Sequence, residues 1–147
     1  MALKRALHWE TRHFHEFLMG RASAPFAWGS NDCALFAADG IKAITGVDIA
    51  AEFRGQYHDE ASALEAIEAI TGGKTVEDAA AWCAQKFGLS EWQYPLCARR
   101  ADLVVVRNGD GLASGLVHLN GKHVVFPGER GLVRVSIRQI VRAWHYE

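Results

Sequence analysis

The hydrophobic pattern of the chain changes once, near Pro95, and that change limits what the chain can fold into. Before it, apolar residues recur at helical spacing and the runs stop at glycine. After it, LVVV (103–106), GLVHL (115–119), HVVF (123–126), LVRV (132–135) and VRAWHY (141–146) are short β-branched or alternating runs between glycine and proline turns. Helices first and an antiparallel sheet second predict an α+β fold, with N-terminal helices packed on a small antiparallel β-sheet. With 147 residues the chain is read as a single domain, 1–147, too short for two comfortable ones.

In the helical half, Leu3, Leu7, Phe14, Phe17 and Leu18 predict a first helix over 3–19, closed by Gly20. A loop with Pro25, Gly29, Ser30, Asn31 and Asp32 leads to an apolar helix from about Cys33 to Thr45, stopped at Gly46. Gly40 inside it weakens that helix by up to about 1 kcal/mol. ASALEAIEAI predicts a helix ending at Gly72 and Gly73, and another runs from about Val76 to Lys86 and stops at Gly88. In the strand half, Asn120-Gly121 is the strongest hairpin signal.

Charge excludes one large class of partners. Lysine plus arginine number 16 against 17 aspartate plus glutamate, a net charge of −1, so nucleic acid held by bulk charge is not expected. Arg99 and Arg100 are too small a basic cluster to change that. Apolar residues at 50% and charged residues at 22% give a chain with a real core rather than a disordered one. The 3 cysteines are odd in number and sparse, which argues against a disulfide scaffold. No stretch approaches the roughly 20 apolar residues of a membrane span, and the N-terminus has no apolar run before a small-residue cleavage site. Synthesis in a reducing cytoplasm, with free thiols, is the expectation.

The most informative segment for chemistry is PFAWGSNDCALFAADG, residues 25–40. Asp32 or Asn31 is placed to cap the following helix, leaving Cys33 in its first turn, where N–H groups and the macrodipole favour a thiolate. Cys33 is therefore a candidate nucleophile, and the alternative is a small apolar residue buried under the loop. A cysteine nucleophile needs an imidazole and a third group to orient it. His8, His13 and His15 lie on or near the polar side of the first helix, His58 in a polar segment and His145 in the last strand. His118 and His123 are the base candidates: a two-residue Asn120-Gly121 turn flanked by Leu119 and Lys122 would set them opposite one another, both rings on one face. No C-x-x-C or H-E-x-x-H pattern is present, so neither metal nor cofactor is expected. Cys83 reads as helix packing, and Cys97 lies in a loop with no evident partner. Phe26, Trp28, Trp92, Tyr94, Trp144 and Tyr146 exceed what a small core needs and are candidate interface anchors.

A Trp-Gly-x-x-Asp-Cys loop opening an apolar helix, then Asp-Leu-Val-Val-Val, then a Gly-Leu-Val…Asn-Gly…Val-Val hairpin resembles the NlpC/P60 group of papain-like cysteine peptidases. The chain is more closely similar to a family of short prophage proteins related to that group. That similarity runs through Pro25-Phe26-Ala27-Trp28-Gly29, Asp32-Cys33, Phe36-Ala37-Ala38-Asp39, Thr45-Gly46, Arg54-Gly55-x-Tyr57, Ala98-Arg99-Arg100-x-Asp102, Pro127-Gly128, Gly131-Leu132 and Arg142-Ala143-Trp144.

The resemblance implies a cysteine helix packed against a strand hairpin that carries the histidine. It also implies a place at the tip of long-tailed phage tails, after synthesis in the host bacterium, with other tail-tip proteins and peptidoglycan as the partners. Active relatives cleave the γ-D-glutamyl to diamino-acid amide of peptidoglycan stem peptides, the cysteine attacking the carbonyl and the histidine relaying the proton. Cys33 matches the nucleophile and Asp32 the acidic residue before it. Aligned on Gly115, Ala113 stands at the histidine position and Val125 near the third, polar one, and neither side chain takes a proton or orients an imidazole. Ala101 stands where a glycine commonly precedes the aspartate. The expectation is a phage tail-tip structural component with a papain-like fold and impaired catalysis. The alternatives are an active cysteine peptidase or amidase that opens stem peptides as DNA enters the cell, and a tail-assembly factor absent from the finished particle.

Overall fold

The computed structural model describes residues 3–147. A π-helical segment, Trp9–Phe14, runs into α1 (His15–Arg21), followed by α2 (Cys33–Thr45), α3 (Glu60–Thr71) and α4 (Val76–Lys86). The strands are β1 (Ser90–Glu91), β2 (Leu103–Asn108), β3 (Gly111–Val117), β4 (His123–Gly128), β5 (Gly131–Ser136) and β6 (Ile140–His145). They form one 6-stranded antiparallel sheet in the order β1-β6-β2-β3-β4-β5. The molecule is thus α+β, helices first.

Local chemistry explains where the helices begin and end. The Asp32 carboxylate accepts the Leu35 N–H to start α2, and Gly46 ends it at φ 80°. Reciprocal capping boxes start α3 (Asp59 with Ser62) and α4 (Thr75 with Asp78). Gly40 has a packing reason: a Cβ there would stand 2.4 Å from Leu116 Cδ1 and 3.0 Å from Phe17, so α2 lies closer to β3 and α1 than any side chain would allow.

The first helix differs from the expectation. Residues 3–8 are not helical, and His8 sits at φ 61°. The Arg5 N–H donates to the Glu147 carbonyl and the Ala6 N–H to the Ile44 carbonyl, bonds that compete with a helical ladder. Leu7, which helped to set the apparent period, is 81% exposed.

The sheet is strongly curled. β5 and β6 flank β2, β3 and β4, a separation of about 19 Å in a flat sheet at 4.8 Å per strand. Yet only Ile137–Gln139 join them, and the four Cα steps from Ser136 to Ile140 reach at most about 14 Å. Curling gives the sheet two buried faces. Leu103, Val105, Leu116, Val125 and Trp144 pack against the helices, while Val104, Val106, Ala113, Val117, Val124 and Phe126 meet one another inside the curl. Gly115 permits the tight approach of β4, because a Cβ there would lie 2.5 Å from the Val125 carbonyl oxygen.

The hairpin register is the expected one, and the loop is longer. The His118 N–H donates to the His123 carbonyl at 2.8 Å, so the two residues oppose each other. The connection is Leu119–Lys122 rather than two residues. The Gly121 N–H closes a turn on the His118 carbonyl, while Asn120 Oδ1 accepts the N–H groups of Lys122 and His123.

Candidate functional site

The site is organised around the start of α2. Asp32, 2% exposed, puts both carboxylate oxygens to structural use. Its Oδ1 accepts the Leu35 N–H at 2.9 Å, and its Oδ2 accepts the Gly29 N–H at 3.0 Å and the Tyr57 O–H at 2.6 Å. Gly29, at φ 81°, lies so close to the Tyr57 carbonyl that a Cβ would stand 2.6 Å from its oxygen. The Trp-Gly-x-x-Asp-Cys loop is therefore clamped onto the Arg54-Gly55-x-Tyr57 segment.

A second network fixes the same loop from below. Asn31 Nδ2 donates to the Pro25 carbonyl at 2.9 Å, and Arg21 bridges Asn31 Oδ1 at 3.0 Å to Asp39 Oδ2 at 2.8 Å. Arg54 bonds Asp39 and, at 2.6 Å, Asp48. Burial works against the Asp48 charge, and the Arg54 guanidinium outweighs it, holding the carboxyl below its ordinary range.

Cys33 is the first residue of α2 and half-buried, packed against the apolar cluster inside the sheet curl. Burial pushes its thiol up to about 11. The Ser114 backbone amide pulls the other way, and the Asp32 charge adds to the rise. The helix N-terminus that would favour a thiolate is thus overridden by desolvation and by its own capping carboxylate.

A cavity of about 470 Å³ opens beside the sulfur, between α2, α3, α4 and the start of β3. Its walls are mainly apolar and include Leu35, Ile49, Phe53, Ile67 and Ala80. Cys83 also lines it, and burial pushes that thiol up to about 12. No lining residue is a histidine.

The structure brings Cys33 and Asp32 together and places His118 and His123 elsewhere. Ser114 faces the sulfur, and His118 lies four residues further along, about 14 Å of extended chain away. Both rings are occupied at the hairpin tip: His118 Nδ1 accepts the Asn120 N–H at 3.0 Å, and His123 Nδ1 pairs with Asn120 Nδ2 at 3.0 Å. Burial, Arg134 and His123 all lower the His118 pKa, and the Asn120 hydrogen bond opposes them.

Tyr57, the Ser114 amide and a buried cluster around Asp102 were not legible as functional groups in the sequence. Asp102, fully buried, accepts from Arg5 at 2.7 Å, Trp92 Nε1 at 2.8 Å and the Arg99 N–H at 2.8 Å, and pairs with His145 Nδ1 at 2.7 Å. The hints were the Ala98-Arg99-Arg100-x-Asp102 similarity and the period-2 pattern that puts Trp144 on one face of β6 and His145 on the other. Of the candidate anchors, Trp144 and Tyr146 are buried, Phe26 and Trp92 are half-buried, and Trp28 and Tyr94 are exposed. Cys97 is exposed and Cys83 buried, and all three cysteines are free. Among the described residues, no group of three or more His, Cys, Asp or Glu side chains is placed to hold a metal ion, and no helix is long and apolar enough to cross a membrane.

Residues 4–146 match the family model of a domain of unknown function, DUF6950. No curated protein and no solved structure matches the chain.

Proposed function

The chain belongs to the DUF6950 family, and we propose that it is a structural component of a bacteriophage tail tip, built on a papain-like peptidase scaffold whose hydrolytic chemistry is lost. The tail-tip assignment comes from the sequence resemblance to short prophage proteins of the NlpC/P60 type. The loss of chemistry is carried by one observation: Cys33 stands at the N-terminus of α2, and no imidazole lines the cavity around it.

Catalysis by a cysteine needs a base within about 3 Å of the sulfur or one water away. At the position where active relatives carry that base stands Ala113, and near the third position stands Val125, which is fully buried. Neither offers a lone pair. The groups that hold the loop in place, Asp32, Tyr57 and Asp39, are engaged with one another's segments and with Arg21, which supports a role in shape rather than turnover. In this reading the domain works in the virion tail, against other tail-tip proteins.

Two measurements test it. Mass spectrometry of purified particles is expected to find peptides from this chain, and their absence would overturn the tail role in favour of an assembly factor. Purified protein incubated with stem peptides is expected to leave them intact. Cleavage that Cys33→Ala abolishes would overturn the loss of chemistry and make the domain an active amidase.

A further inference from the structure

The cavity beside Cys33 has a one-sided electrostatic character. Its interior is apolar, and its rim carries three large apolar side chains that remain in water: Trp28 at 41% exposure, Leu64 at 44% and Leu112 at 38%. Glu60 and Asp110 stand among its lining residues and Asp32 lies deeper, whereas no lysine, arginine or histidine lines it. Among the described residues, neither Glu60 nor Asp110 has a cationic partner within ion-pair distance.

Each part of that arrangement constrains an occupant. A volume of about 470 Å³ exceeds any single side chain and suits two or three apolar ones. Exposed tryptophan and leucine at a rim are the residue types that seal such a contact from water. Uncompensated carboxylates at an apolar mouth reject anions and favour a cation, because a charge pair at the edge of a low-dielectric cavity is screened less than one in open water. We propose that this cavity binds a segment of a partner protein that presents two or three apolar side chains next to a lysine or arginine. The inference rests on the reading above in one respect: it treats the cleft as a seat for a peptide rather than as a place where the peptide is cut.

Calorimetric titration of the full chain with two blocked tetrapeptides separates the possibilities. They are acetyl-Leu-Phe-Lys-Leu-amide and its counterpart with glutamate in place of lysine. The lysine peptide is expected to bind at least about tenfold more tightly. That ratio should narrow as salt rises and collapse in Glu60→Gln/Asp110→Asn, whose exposed substitutions leave the fold intact. Equal affinity for the two peptides in the unaltered chain, or no binding of either up to about 1 mM, would overturn the proposal. Mass spectrometry of the titrated peptide distinguishes the two readings. A peptide that binds and is cut overturns the non-catalytic reading and leaves the recognition chemistry standing, whereas a peptide that stays intact and unbound overturns only the recognition.

Discussion

Tyr57 donates its phenolic O–H to the carboxylate of Asp32 across 2.6 Å, joining the loop before α3 to the first turn of α2. The contact links two segments whose bonded residues lie 25 apart in the chain. Burial and the neighbouring carboxylate raise the Tyr57 pKa well above that of a free phenol, so the donor is present at any physiological pH. Asp32 is consequently a keystone of the loop.

Tyr57→Phe removes one hydrogen bond to a charged acceptor and is expected to cost about 1.5–3 kcal/mol in urea unfolding. Asp32→Ala removes the cap as well and orphans the Gly29 N–H and the phenol, so a larger loss of about 2–4 kcal/mol is expected. The order of the two variants is the informative outcome. If Tyr57→Phe proved the costlier, the phenol would be supporting something other than the cap.

Cys33 should behave as a buried thiol. With iodoacetamide at pH 7, peptide mapping is expected to find the exposed Cys97 labelled first and Cys33 and Cys83 protected. Cys33 labelling should then climb about tenfold per pH unit until the pH nears about 11. Because the folded value is raised above the ordinary 9.0, the unfolded thiol ionises first. Stability from Cys33 is therefore complete below pH 9 and is lost as the pH rises towards 11. Rapid labelling near neutrality would contradict this.

The curl of the sheet gives a comparison of two glycines. Gly115→Ala drives a methyl to 2.5 Å from the Val125 carbonyl and is expected to destabilise by about 2–4 kcal/mol. Gly20→Ala meets nothing within 4 Å and lies in α1, so a gain of up to about 1 kcal/mol is expected. Thermal melts of the pair, against the unaltered chain, read both signs at once.

Asp102→Ala leaves the Arg5 guanidinium, the Trp92 indole and the Arg99 amide without their shared acceptor. A loss of about 3–5 kcal/mol is expected, the cost of breaking a buried ion pair from one side. Since the carboxylate is fully buried, that loss should change little between low and moderate salt, which distinguishes it from a surface pair.

The sequence announced α2, α3 and α4 almost to the residue, because α2 and α3 stop next to a glycine, α4 stops two residues before Gly88, and each starts at a side chain that caps it. The first helix was misread, since Arg5 and Ala6 turn their amides to Glu147 and Ile44, partners that local periodicity does not reveal. The strands followed from alternation, and the pairing of His118 with His123 from Asn120-Gly121, although the turn itself is longer than two residues. The curl did not, being imposed by a three-residue connection and by the missing Cβ of Gly115. At the site, a cysteine opening a capped helix was visible from spacing. Its high pKa was not, because it arises from packing inside the sheet and from the Asp32 charge. The Asp102–His145 pair spans 43 residues, and no local spacing joins the two.

The short link from β5 to β6 also dictates an order of assembly. β2 to β5 pair through successive local hairpins, whereas β6 must travel back to β2, and its registers join residues such as Leu103 and Trp144. Such distant pairings form late, after the loop entropy has been spent. A chain grown only as far as Gln139 is therefore expected to leave the β2 edge uncovered until the final stave pairs with it.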